Sequence, residues 1–199
     1  MLMIELIIPL TIFAIVATAT PGPNNIMVTA SGSAFGFRRS LPHLLGITLG
    51  FPLVLLAVGL GLGEIFQSNP QIHLFLKYAG AAYLLYLAWR IAQAGRPDSS
   101  ETKARPLSLL EAAAFQWVNV KAWMVALSAI PAFTTIGGNY YLELGVIALI
   151  FAVVTIPSVS GWCMFGVAIR RLIQTDKTAR IVNLIFAGLV ALSVLVLFW

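Results

Sequence analysis

Charge is scarce in this sequence, and its scarcity decides the class. Of 199 residues only 10% are Asp, Glu, Lys or Arg, while 60% are hydrophobic. A soluble domain could not hide that much apolar surface. The chain is therefore expected to be an all-α integral membrane protein. Its length allows about six spans of ~20 residues with short connections, and no separate soluble domain. Cysteine is nearly absent: Cys163 stands alone inside an apolar stretch. That excludes a disulfide framework and any Cys/His metal spacing, so neither metal nor cofactor is expected. Carboxylates are missing from the middles of the apolar segments. Glu5, Glu64, Glu111 and Glu143 fall near segment ends, and Asp98 and Asp176 in loops. A nucleophile elbow and a phosphate loop are both lacking, which argues against an enzyme. The run from Gly59 to Gly63 has no preceding strand and reads as a fraying helix end. The net charge of +5 does not point to nucleic acid, because the basic residues flank apolar segments instead of forming a stripe. Nor is the N-terminus expected to be a cleaved signal: it carries Glu5 and no Lys or Arg.

What is present is a series of apolar segments. Segment 1 spans about 4–30 and is followed by a polar turn, 31–40, with Arg38 and Arg39. Segment 2 covers about 41–62, with Gly46 and Gly50 as a small-residue packing face. Segment 3 covers about 72–92. Residues 93–106 form a polar loop with Arg96, Pro97, Asp98, Glu101, Lys103 and Arg105. Segment 4 runs from Ser108, which with Glu111 makes a capping box, to about Phe133. Segments 5 and 6 cover about 142–167 and 181–199. The basic residues cluster in 31–40, 90–106 and 170–180, and the intervening connections have none. With six spans these three clusters share one side, expected to be the cytoplasm. Division at the polar loop gives halves 1–93 and 108–199, joined by 94–107. Three spans per half would place the halves in opposite orientations, as inverted repeats. If segment 1 does not fully span, the N-terminus moves inside.

Two interruptions stand out. In the first, Pro21, Gly22 and Pro23 cannot continue a helix, since each proline lacks an N–H. Lipid cannot satisfy the freed backbone groups, so the break must face protein or a water-filled cavity. Asn24 and Asn25 follow at once; either they cap the next half-helix or they line a site, and a residue can do both. The second is Asn119-Val120-Lys121. A charge at the midpoint of a span costs roughly 2.5–3.5 kcal/mol, and no buried carboxylate is there to pair with Lys121. The lysine is neutral, faces water, bonds backbone carbonyls, or awaits an anionic group from a substrate. Gln116 lies three residues before Asn119 and can share its face. His43 and His73 lie near segment ends and are expected at the interface. Candidate substrate residues are therefore Pro21, Gly22, Pro23, Asn24, Asn25, Gln116, Asn119 and Lys121.

Pro21-Gly22-Pro23-Asn24, then Gly36-Phe37-Arg38, Gly46 and Gly50, and the run Leu76 to Leu84 resemble the LysE/RhtB family of amino-acid exporters. The likeness covers nearly the whole chain. Two departures matter: Val120 stands where the family commonly has proline, and Phe51 where many members carry an acidic residue. Both are similar to the cysteine/O-acetylserine exporter branch. The resemblance implies export of a small neutral amino acid across the bacterial inner membrane, driven by protons. It leaves no segment 2 carboxylate for coupling, so Lys121, taken out of water, is the group that could exchange a proton. The alternatives are export of another amino acid or metabolite (homoserine/threonine-like or basic), or a non-transporting membrane scaffold. A homo-oligomer stays open, because the small-residue faces at Gly32/Gly36 and Gly46/Gly50 suit packing within or between chains.

Overall fold

The computed structural model describes residues 3–94, 105–196 and 198, and among these it is all helix and connection, with no strand. Arg96, Pro97, Asp98, Glu101 and Lys103 of the polar loop, Trp199, and the side chains of Glu5 and His73 lie outside the described residues. The first apolar segment is two helices, α1 (Met3–Ala19) and α2 (Pro23–Phe35). They are bent by 59° at the break. Next come α3 (Phe37–Ala57), a π-helical turn (Val58–Leu62) and α4 (Gly63–Ser68). The long helix α5 (Pro70–Ala92) starts with Asn69 as N-cap and Pro70 behind it. The fourth segment is again two helices, α6 (Leu109–Val118) and α7 (Val120–Phe133), separated by Asn119 alone. It opens with the expected capping box of Ser108 and Glu111. Helices α8 (Tyr140–Arg170) and α9 (Asp176–Val196) complete the chain. Helix α8 continues through Pro157.

By length and composition, Phe37–Ile65, Tyr140–Arg170 and Asp176–Leu195 can each cross a bilayer, and the bent pair Leu6–Ala19 with Pro23–Phe35 is either a broken fourth span or a re-entrant loop. Helices α6 and α7 are shorter apolar helices. The chain is a multi-pass membrane protein, and its exposed leucines, isoleucines and aromatics are the surface expected against lipid.

Three expectations need correction. The polar turn over 31–40 is a single residue: α2 runs through Phe35, α3 starts at Phe37, and Gly36 makes the corner at φ 76°, a left-handed conformation that glycine adopts without strain. The serines read as loop residues are buried in the helix pair instead, and Arg38 and Arg39 sit in the first turn of α3. The glycine run 59–63 does not fray; it makes a kink at Gly61, whose φ of 116° is not helical, and the helix resumes as α4. His43 is not interfacial. It is fully buried, with Nδ1 2.9 Å from Ser31 Oγ.

Glycines set the closest helix contacts. A Cβ on Gly46 would sit 2.4 Å from the Leu109 carbonyl oxygen, and one on Gly50 2.7 Å from Ala113 Cα, so α3 and α6 touch backbone to backbone. Gly32 does the same against Cys163 of α8, and Gly166 of α8 against Thr29 of α2. These faces pack within one chain. The main helix pairings are α8 with α2 and α1, α3 with α6, α3 with α8, and α5 with α9. Exchanging the first three segments for the last three maps this set of pairings onto itself.

Candidate functional site

The two helix breaks meet. The Pro21-Gly22-Pro23 sequence ends α1 and leaves its last carbonyls without helical N–H partners. Those of Thr18, Ala19 and Thr20 are met by side chains. Asn25 Nδ2 donates to Thr18 O at 2.8 Å and to Thr20 O at 2.9 Å. Trp162 Nε1, from α8, donates to Ala19 O at 3.3 Å. Lys121 Nζ, from the first turn of α7, donates to Thr20 O at 2.7 Å. The cation thus lies at the negative end of the α1 dipole, which favours it there. Gly22 makes room for it: a Cβ at that position would be 3.0 Å from Lys121 Cδ and 3.2 Å from Nζ.

One helical step away a second pair spans the breaks. Asn24 Nδ2 donates to Gln116 Oε1 at 2.8 Å, and Gln116 Nε2 donates back to Asn24 Oδ1 at 3.1 Å. Gln116 is fully buried and also donates to Ala112 O at 2.9 Å. Asn119 Nδ2 lies 3.5 Å from Gln116 Oε1, and its backbone forms the break between α6 and α7. Neither Asn24 nor Asn25 caps α2, whose N-cap is Gly22 with no side-chain bond. Asn25 caps the end of α1 instead, and Asn24 clasps the opposite half of the chain.

All of Gly22, Asn24, Asn25, Gln116, Asn119 and Lys121 line one pocket of about 50 Å³, room for about two waters. Pro21 and Pro23 build the break but are not on its wall. Helices α2 and α7 both begin here, so their free N–H groups and positive dipole ends meet at the same point as the lysine. The rest of the wall is Ile47 and Phe51 of α3, Ala122 and Val125 of α7, Thr155 and Val159 of α8, and the end of α1. Lys121 is the one titratable side chain among these lining residues. Thr155 and Val159 escaped the sequence reading, because in an apolar span neither stands out from lipid-facing neighbours. A wider cavity of about 540 Å³ lies between α2 and α5 toward the basic ends of the helices, walled by His43, Arg90, Arg105 and Asn183 among others. His43 precedes Ile47 by one turn, so α3 presents His43 to this cavity and Ile47 and Phe51 to the inner pocket. Glu111 ties the mouth together, 2.6 Å from Arg105 and 3.4 Å from Arg90. Among the described residues no cluster of His, Cys, Asp or Glu could hold a metal ion.

A family model described as LysE type translocator matches residues 15–198. The chain belongs to the LysE family. Among curated relatives, a cysteine/O-acetylserine efflux protein of Escherichia coli (strain K12) is 32% identical over 190 residues, covering 94% of each chain. One of Shigella flexneri serotype 5b (strain 8401) matches to the same extent. Another, of Escherichia coli O139:H28, is 37% identical over 122 residues, 61% of this chain and 62% of its own. No solved structure matches. The LysE-family chain is accordingly a transporter and not an enzyme, and amino-acid export is the activity its relatives' names carry.

Proposed function

We propose that this LysE-family protein is a proton-coupled exporter of small neutral amino acids across the bacterial inner membrane, with cysteine and O-acetylserine as first candidates. The observation that carries the reading is the meeting of two broken helices around Lys121. Two helix N-termini and an ammonium group at one point suit a carboxylate. The amide oxygens of Asn24 and Gln116 and the Thr20 carbonyl suit the ammonium group of the same zwitterion. Among the described residues no carboxylate lines the pocket, so a basic side chain finds no partner among them. The names of the relatives point the same way.

In the present state every polar group named here is satisfied within the protein. Lys121 rests on Thr20 O, and Asn24 and Gln116 rest on each other. A substrate therefore exchanges hydrogen bonds instead of adding them, so binding stays weak enough for release. The pocket is too small for an amino acid, and entry requires Asn24 on α2 and Gln116 on α6 to part. The symmetric helix pairing supports halves 1–93 and 108–199 as inverted repeats, which would let the two breaks open alternately to either side. In this scheme the basic helix ends face the cytoplasm, the wider cavity is the cytoplasmic approach, and Lys121 exchanges the proton.

The test is uptake into everted membrane vesicles with an imposed proton gradient. Labelled cysteine, O-acetylserine, other small neutral amino acids and lysine are offered to wild type and to Lys121→Ala. Hydrogen bonds to a charged group contribute about 1.5–3 kcal/mol, so apparent affinity should fall roughly ten- to hundredfold in the variant at normal membrane insertion. Full activity in Lys121→Ala would leave the lysine as a cap on Thr20 O and nothing more. No uptake of any amino acid by well-inserted wild type would overturn the exporter reading.

A further inference from the structure

Hydroxyls in the helices of this protein fold back on their own backbone. Thr11, Thr18, Thr29, Ser128, Thr134 and Ser193 each donate to the carbonyl four residues earlier, at 2.7–3.0 Å. Thr155 does not. It is 2% exposed, and its Oγ1 has no hydrogen-bond partner among the described residues. The back-bond to the Phe151 carbonyl is the default for a threonine in an apolar helix. A buried hydroxyl that forgoes it leaves a donor and an acceptor unmade, which costs stability. Other buried polar atoms share this state: Ser33 Oγ, His43 Nε2 and Ser158 Oγ. Of these four residues, only Thr155 lines the pocket between the helix breaks.

We infer that Thr155 reads the side chain of the transported amino acid. The inference rests on the exporter reading above and adds to it the specificity-determining group. If Lys121, Asn24 and Gln116 take the two charged ends of the zwitterion, its side chain is left to the remaining walls. Those are Ala17, Ile47, Phe51, Ala122, Val125 and Val159, all apolar, with Thr155 among them. The other hydroxyl on the wall, that of Thr18, is spent on Ala14 O. Thr155 therefore carries the one uncommitted hydroxyl among the residues that line the pocket, covered in this state and reached once the pocket widens to admit a substrate. The complementary side chain is small and uncharged, with a single hydrogen-bonding atom one or two bonds beyond Cβ: a hydroxyl, a thiol or an ester oxygen. An apolar side chain of equal size leaves the hydroxyl unpaired, which is how a polar site rejects an isostere.

Serine and 2-aminobutyrate make the decisive pair, because they differ by a hydroxyl in place of a methyl. Saturable uptake of both is measured in everted vesicles of wild type, Thr155→Val and Thr155→Ser, and compared as the ratio of kcat/KM for serine over 2-aminobutyrate. Wild type should favour serine by tenfold or more. Thr155→Val, which keeps the shape, should bring the ratio near one, and Thr155→Ser should restore it. Thr155→Ala also lacks the hydroxyl and gives the same reading if Thr155→Val inserts poorly. An unchanged ratio in the variants without the hydroxyl overturns the inference. So does a wild type that carries both equally, and either result leaves the exporter reading standing. A wild type that carries no amino acid removes both.

Discussion

Asn24 and Asn25 are neighbours with the same side chain, and the structure gives them different work. Asn25 is buried and donates twice to the end of α1. Removing it leaves Thr18 O without that donor in a setting where lipid cannot supply another. A buried polar group left unpaired costs about 1–3 kcal/mol. Asn25→Ala should therefore lower the thermal stability of the detergent-purified protein, and Asn25→Asp should do the same, since an ionised carboxylate cannot donate. Among the described residues the only side chain Asn24 bonds is Gln116, across the site. Asn24→Ala leaves Gln116 Oε1 the Asn119 amide at 3.5 Å and the pocket beside it, so it should lower the melting temperature less than Asn25→Ala does and reduce uptake. Equal stability losses at the two positions would contradict this division. The break itself was legible in the sequence, because a proline's missing N–H is a local property. The donors that satisfy it were not. Lys121 and Trp162 reach Thr20 and Ala19 from more than a hundred residues away, and residue spacing along the chain carries no information on such pairs. Thr155 was invisible for a different reason: a threonine in an apolar span normally satisfies itself, and its sequence context is the same when it does not.

Between elements, glycine decides which helices touch. Gly166 of α8 lies against the Thr29 backbone of α2, and a Cβ there would be 2.0 Å from the carbonyl oxygen. Backbone cannot yield as a side-chain tip can, so the helices would have to separate. Gly145 and Gly161 lie on the same α8, and a Cβ at either position would meet nothing within 4 Å. Overpacking typically costs about 1–3 kcal/mol. Gly166→Ala should accordingly lower the midpoint of thermal unfolding, and Gly145→Ala and Gly161→Ala should not. Loss of stability in all three would mean that the α2–α8 contact is not the cause. The small-residue faces at Gly46 and Gly50 were readable from their four-residue spacing, while their partner helix was not. The boundary between α2 and α3 was misread because Ser31 and Ser33 look like loop residues. Buried in the α2 helix, Ser31 finds its partner in His43, so a polar pair inside the bundle imitates a solvent turn.

Across the whole molecule, the pocket is walled unequally at its two ends. Toward the basic helix ends lies the cavity of about 540 Å³. In the other direction, Phe51 of the pocket wall begins a chain of rings from four helices. Its ring meets Phe151 at 5.2 Å, Phe151 meets Phe13 at 6.2 Å, and Phe13 meets Phe133 at 5.5 Å. Phe133 ends α7, beside the connection 134–139, which has no basic residue. In the proposed scheme the wider cavity is the open cytoplasmic approach, so the far side has to be shut, and this ring cluster is the element in place to shut it. Phe13 joins the last two contacts and is only partly buried, so it can be removed without emptying the core. In a Cys163→Ser background with Ala122→Cys as a reporter on the pocket wall, Phe13→Ala should speed labelling by a membrane-impermeant maleimide added to intact cells. In everted vesicles, where the reagent meets the basic side, the rate should not change. Faster labelling confined to everted vesicles would reverse the assigned orientation, and no change from either side would mean that the rings pack the core without closing the path.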